Sequence, residues 1–315
     1  MHSIFDPTSP QARAITHLWW WMFGVGAAVW LTVIAVMLYT VRARRTARDS
    51  DVPQQVSDTD RRVERYVAAS IFVTVLILGG FLAFDFGVGR QLAQHPQRAL
   101  TIEVVAHQWW WEAQYIDPDP SKRIVTANEI HVPTHEPVQI RLKSPDVIHS
   151  FWAPNLNGKR DLIPGYVSSL WFTADTAGTY RGQCAEFCGL EHAKMAFYIV
   201  AEPPADFAAW RVAAAASPTP PTDSTLLYGQ RVFMSGGCAV CHTIAGTEAR
   251  SNIGPNLTHF KSRSTLAAGT LVNSRANLAR WIMDPQSIKP GVRMPPSPLS
   301  RVQVDALVAY LETMK

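Results

Sequence analysis

Cys184-Ala-Glu-Phe-Cys188-Gly-Leu-Glu-His192-Ala-Lys-Met195 sets two thiols, an imidazole and a thioether within one short loop, and His149 follows Asp146 on an earlier one. Thiolate, imidazole and thioether are soft to borderline ligands that select copper over magnesium or calcium. A single blue-copper site needs one Cys. A second Cys lets two thiolates point at the same place and bridge two copper ions. Sharing one unpaired electron across that pair keeps the geometry nearly constant on reduction, which favours fast electron transfer. Two Cys and two His would also suit tetrahedral zinc, but zinc leaves Met195 without a role. A disulfide between Cys184 and Cys188 is the other alternative.

Around this loop the sequence reads as short β-rich runs separated by Pro, Gly, Asn and Asp. Strands are expected over residues 101–106, 129–132, 137–143, 167–173, 178–183 and 195–201. Strands without intervening helices argue for an antiparallel β-sandwich.

Towards the N-terminus the composition changes. Residues 18–41 contain no Asp, Glu, Lys or Arg, and these 24 residues span about 36 Å as a helix. A second uncharged run of 19 residues, 66–84, spans about 28 Å and ends at Asp85. Trp19, Trp20 and Trp21 suit a membrane interface, where aromatic rings keep one edge wet. Between the runs lie Arg42, Arg44, Arg45, Arg48, Arg61, Arg62 and Arg65. By the positive-inside rule this connection is cytoplasmic, so both termini and everything after Arg90 face the periplasmic side of a bacterial membrane. No basic n-region and short h-region precede the first helix, so no cleavable signal peptide is expected.

At this point the sequence resembles subunit II of cytochrome c oxidase, across residues 1–202. The resemblance implies a cupredoxin sandwich behind a two-helix hairpin. It further implies that Cys184 and Cys188 bridge the coppers of a CuA centre. His149 and His192 would each complete one copper, with Met195 and the backbone carbonyl of Glu186 as weak ligands. The Glu186 side chain would reach a magnesium at the contact with subunit I, as hard carboxylate oxygen suits that ion. His107-Gln108-Trp109-Trp110-Trp111 resembles the family's aromatic stretch ahead of the copper domain, which makes Trp109 the electron relay; Trp110 and Trp111 are read as packing at the membrane interface. Glu64 matches either a glutamate near a proton-uptake entrance or ordinary pairing with Arg62 and Arg65. His95, His131, His135 and His259 lack ligand spacing and read as surface or locally bonded residues.

Beyond residue 201, Glu202-Pro203-Pro204 breaks the last strand, residues 205–216 suit a short helix, and 217–222 form a Pro-rich spacer. Cys238-Ala-Val-Cys241-His242 then has the pattern of haem c attachment, two thioether-forming thiols followed at once by the proximal ligand. Gly254-Pro255-Asn256-Leu257 follows at the spacing that supports the ligand His in c-type cytochromes. Met294-Pro295-Pro296 supplies an axial Met. Met283 is the rival for that sixth position, Met234 and Met314 being packing residues. The run 281–294 resembles cytochrome domains fused to oxidase subunit II, and there the Met before Pro is the ligand, which favours Met294. Residues 300–314 should form a C-terminal helix packed on a first one at 226–235.

The expected organisation is therefore an N-terminal periplasmic tail at 1–17 and a transmembrane hairpin at 18–89, with helices about 18–41 and 66–86. A CuA cupredoxin domain at 90–202, a helix and linker at 203–223, and an all-α class I cytochrome c domain at 224–315 follow. Residues 90–222 carry 11 Lys and Arg against 13 Asp and Glu, and residues 224–315 carry 10 against 4. The basic unit lacks an Arg/Lys stripe interleaved with aromatics, so a protein partner fits better than nucleic acid. Opposite net charges favour docking of the two units.

Nothing in the chain resembles an oxygen-reducing centre, so the reading is an electron conduit of a caa-type haem-copper oxidase. Electrons pass from cytochrome c or a quinol-cytochrome c reductase to haem c, then to CuA, then to subunit I, with subunit III as a further partner. A nitrous oxide or nitric oxide reductase would share the copper motif, but the hairpin followed by the whole pattern argues against the former. A quinol oxidase subunit would lack the copper ligands, and a zinc-stabilised binding module would lack the haem motif.

Overall fold

The computed structural model describes residues 3–46, 57–94, 96 and 98–315. The connection at 47–56, with Arg48, lies outside the described residues, as does His95. Two compact units are present, one formed by residues 13–94 and the other by 1–12 with 95–315.

The described residues of the smaller unit lie almost wholly within two long helices, α1 (Pro10–Thr46) and α2 (Ser57–Ala93), both running past the uncharged stretches. Their apolar spans, Pro10–Ala43 and Arg61–Ala93, hold 34 and 33 residues, and the most apolar 18-residue stretch of each is unburied. Helices that are apolar on all sides without protein cover are long enough to cross a bilayer, where every backbone group is satisfied within the helix.

The larger unit begins with a β-sandwich. Ten strands follow in chain order: β1 (Leu100–His107), β2 (Trp110–Tyr115), β3 (Ile124–Ala127), β4 (Glu129–Pro133), β5 (Pro137–Lys143), β6 (His149–Trp152), β7 (Arg160–Leu162), β8 (Ser168–Thr173), β9 (Gly178–Cys184) and β10 (Ala196–Glu202). They form two sheets, ordered β3-β2-β1-β5-β8 and β4-β10-β9-β6-β7. Strict in-out alternation along β1 and β5 sends Ile102, Val104, Ala106, Val138, Ile140 and Leu142 into the core. The sheets are not wholly antiparallel. β1 pairs β5 and β10 pairs β4 in parallel, because β4 leaves its hairpin partners for the opposite sheet before the chain returns as β5. Short strands of this kind show no pairing direction in their sequence.

Trp111, Phe151 and Phe197 close the core beside the Cys184 loop. The Phe151 and Phe197 rings stack 4.3 Å apart, and Trp111 meets Phe197 edge-on at 5.1 Å. Gly182 is required there, since a Cβ would lie 2.1 Å from the Phe197 ring. Each such side chain contributes about 1.5–3 kcal/mol by burial. Trp111 is fully buried, so the expectation of membrane-interface packing is corrected for it: strand alternation turns it into the sandwich. Trp110, on the opposite face, stacks on His107 at 4.4 Å.

After α3 (Pro204–Ala215) the chain enters a helical lobe built from α4 (Ser224–Ser235), α5 (Arg275–Met283) and α6 (Arg301–Leu311), with a two-strand ribbon of β11 (Thr265–Leu266) and β12 (Leu271–Val272). Asp223 caps α4 and Ser300 caps α6 in a capping box with Gln303. The crossing of α4 and α6 is close at Gly229, where a Cβ would meet the Ala306 carbonyl at 2.1 Å. Met314 is buried in this core and Met234 packs against it.

Candidate metal and haem centres

β6 and β9 are neighbours in one sheet, and Phe151 pairs with Cys184 across them. That register brings His149, 35 residues upstream, to the loop that follows β9. The Cys184 and Cys188 sulfurs are 3.7 Å apart. His149 Nδ1 lies 3.8 Å from Cys184 Sγ, and His192 Nδ1 lies 3.6 Å from Cys188 Sγ. Met195 Sδ is 3.8 Å from Cys188 Sγ, and the Glu186 carbonyl is 3.2 Å from Cys184 Sγ. His149, Cys184, Cys188 and Met195 are buried, whereas the Glu186 side chain is exposed. All six groups face one spot, with one imidazole and one weak donor at either end of the sulfur pair.

The electrostatics match a cationic guest. Asp146, absent from the sequence-based ligand set, accepts from Gln108 N and Val147 N at 2.7 Å each and holds His149 Nε2 at 2.9 Å. Burial would push its carboxyl up, but these contacts outweigh burial and keep it well below the usual range. With Nε2 committed, Nδ1 is the His149 nitrogen left for a metal. The adjacent thiols act on each other: contact with Cys188 drives Cys184 down, and the same contact drives Cys188 up. Two thiolates so close need positive charge between them. Two bridging thiolates, two imidazoles and a thioether fit a copper pair, and Met195 has no place in tetrahedral zinc.

Trp109 sits against this loop. Its indole Nε1 donates to the Cys188 carbonyl at 3.0 Å, and Gln108 Nε2 donates to the same oxygen at 2.8 Å. Gln108, like Asp146, has no spacing in the sequence that marks it.

In the helical lobe, Cys238 and Cys241 flank a single tight turn, free and partly exposed. His242 follows with Nδ1 2.7 Å from the Pro255 carbonyl, which leaves Nε2 for iron. Gly254 lies flat under the ring, for a Cβ there would be 2.7 Å from His242 Cε1. Burial holds the imidazole below its ordinary value, favouring the neutral ligand form. Two thiols, a fixed neutral imidazole and a Met-bearing loop fit a covalently attached haem. Of the two methionines, Met283 ends α5 and is 39% exposed. Met294 lies on the loop after it, its carbonyl accepting from Gln286 Nε2 at 3.0 Å.

Two of the other described histidines have local roles. His131 stacks on Trp210 between Glu129 and Glu202, and His259 binds the Lys315 and Ala216 carbonyls.

Comparison with known proteins identifies the families of both domains. Residues 116–202 match the family model described as cytochrome c oxidase subunit II, periplasmic domain, and residues 226–315 match the cytochrome c model. Cytochrome c oxidase subunit 2 of Alkalihalophilus pseudofirmus is 33% identical over 98% of this chain and 90% of its own length. Its counterpart in Bacillus subtilis is 29% identical, covering 87% of this chain and 81% of that protein. The crystal structure of the periplasmic domain of subunit II of cytochrome oxidase of Bradyrhizobium japonicum is 32% identical, covering 38% of this chain and 96% of that one, with a TM-score of 0.36. The two domains together suggest copper and haem c as cofactors. The chain belongs to the cytochrome c oxidase subunit II family, the electron-transferring subunits of haem-copper oxidoreductases, and it carries a cytochrome c domain in the same polypeptide.

Proposed function

We propose that this chain takes electrons outside the cell membrane from cytochrome c or a quinol-cytochrome c reductase and delivers them to subunit I, where oxygen is reduced to water with proton pumping. Haem c and the copper pair, when bound, supply the reversible one-electron chemistry. Cys238, Cys241, His242 and Met294 would hold the haem. Cys184, Cys188, His149, His192, Met195 and the Glu186 carbonyl would hold the coppers. The observation that carries this reading is the convergence of the two sulfurs, two Nδ1 atoms and the thioether on one spot.

The chain's own groups prepare that site. Asp146 orients His149, and the buried Trp109 indole is tied to the Cys188 carbonyl. The exposed carboxylate of Glu186 is free to reach a magnesium at a partner subunit. The seven arginines between the uncharged stretches 18–41 and 66–84 favour a cytoplasmic connection, with both soluble domains outside. Subunit I, and subunit III beside it, are the proposed membrane partners; Glu64 is assigned no more than pairing or a place near proton uptake.

Metal analysis and spectroscopy test this reading. Two coppers per chain, a near-infrared copper band, a multiline copper signal and a reduced c-type α-band are expected. Cys188→Ser should abolish the shared-valence signal and most oxidase turnover. One metal per chain, or zinc, would contradict it.

A further inference from the structure

Lys289 is the least expected buried residue in the molecule. It lies in the loop between α5 and Met294, in a Lys-Pro-Gly sequence that would ordinarily be solvated, yet it is 1% exposed. Its ammonium crosses to the sandwich and donates to the Trp109 carbonyl at 3.0 Å and the Lys194 carbonyl at 2.9 Å. Lys194 reciprocates, its Nζ donating to the Ile288 carbonyl at 2.6 Å. Glu191, itself buried, pairs with Lys194 at 3.4 Å and supplies the nearest carboxylate. A buried ammonium without partners is expensive, so the two carbonyls and this acidic neighbour are conditions of the pose.

The contacts around it form a continuous seam. Arg293 donates to Gln108 Oε1 at 3.2 Å, Gly291 lies against Leu190, and Ala196 N donates to the Ala268 carbonyl at 3.0 Å. At the far end Glu129 accepts from Ser264 N at 2.9 Å and from its hydroxyl. Every one of these sandwich groups belongs to, or adjoins, the Trp109 corner, the 184–195 loop or the strands leading from it.

Building on the proposed function, we propose that Lys289 is a positioning residue that locks the helical lobe onto the copper lobe in one pose. The loop carrying Met294 is thereby held against the backbone of Trp109 and the residue before Met195. Loose tethering by the Pro-rich linker would give many encounter poses, each to be searched before transfer. A buried charged hydrogen-bond donor shared between two carbonyls selects one of them. The two lobes then act as one rigid body rather than as donor and acceptor that meet and part.

The test is hydrogen exchange in the purified oxidase, comparing wild type with Lys289→Met. In the wild type, amides at 190–196 and 264–269 should be protected like the adjoining core. Lys289→Met touches no ligand, so both optical spectra should persist while exchange on both faces of the seam accelerates about tenfold or more. Arg293→Ala, exposed and further from the seam's centre, should change it much less. Unchanged protection in Lys289→Met, or unprotected faces in the wild type, would overturn the proposal.

A second measurement stands even where Lys289→Met fails to assemble. After flash reduction of the haem, internal transfer in the wild type should not depend on solvent viscosity, whereas a docking step would make it do so. In Lys289→Met it should become slower and viscosity-dependent, with reduction of the haem by an external cytochrome unaltered. Viscosity-dependent transfer in the wild type would reject the locked pose alone. No transfer between the centres at all would reject the electron-conduit reading and leave the exchange result to judge the lock.

Discussion

Trp109 Nε1 donates to the carbonyl of Cys188 at 3.0 Å, so one hydrogen bond joins this buried indole to a residue whose sulfur faces the candidate copper site. Trp109 is 8% exposed and ligates nothing. Since it is the proposed relay between the two centres, its removal should alter transfer without altering either centre.

Asp146 gives a sharper test of the copper site than any ligand. Asp146→Ala frees His149 Nε2 and removes the acceptor of two backbone N–H groups. Copper affinity should fall roughly 10- to 100-fold, as for loss of a partner that orients a ligand histidine. Titration of copper into the reduced apoprotein, read from the charge-transfer bands, checks this; unchanged affinity would mean that His149 is oriented by packing alone.

For the haem, the expected axial pair is His242 and Met294. Met294→His should lower the reduction potential, because a thioether favours reduced iron more than a second imidazole does. Met283→Ala should leave the methionine signature in place. Loss of that signature in Met283→Ala, with Met294→Ala unaffected, would reverse the choice.

Glu129 links the seam to pH. Burial would raise its carboxyl, but hydrogen bonds with His131 and Ser264 outweigh this and hold it below its ordinary 4.5. Arg263, buried nearby, faces it as a positive group, and His131 lies against it and is shared with Glu202. A carboxyl with a lowered folded value binds more protons when unfolded. Its stabilisation is therefore complete above the ordinary value and is lost as pH falls through the folded one. Thermal unfolding of wild type and Glu129→Gln should differ most near pH 7 and converge only as the pH falls through the lowered folded value. A constant gap across that range would remove Glu129 ionisation from the account.

The sequence made the chemistry legible where ligands are close together. Cys184, Cys188, His192 and Met195 share one loop, and Cys238, Cys241 and His242 share one turn, so residue type and spacing carry the signal. His149 was recoverable only through family resemblance, because its approach to Cys184 is a property of the β6–β9 pairing. The parallel pairs β1–β5 and β4–β10 were hidden, since alternation reports which face is buried and not the direction of the neighbour. Trp111 looked interfacial beside two other tryptophans until the register of β2 turned it inward. Lys289 could not be read at all: a lysine before Pro and Gly looks like a solvated turn, and only the approach of the second lobe buries it.

The most direct measurement is flash reduction of the haem with the copper absorbance followed in time, in wild type and in Trp109→Ala. The expected result is transfer from haem to copper that slows in Trp109→Ala while both spectra and the metal content stay intact. Internal transfer should also respond less to salt than reduction by an external cytochrome, whose exposed charges are screened over about 8 Å at physiological ionic strength. Unchanged transfer in Trp109→Ala would reject the relay, and copper reduction that bypasses the haem would contradict the account as a whole.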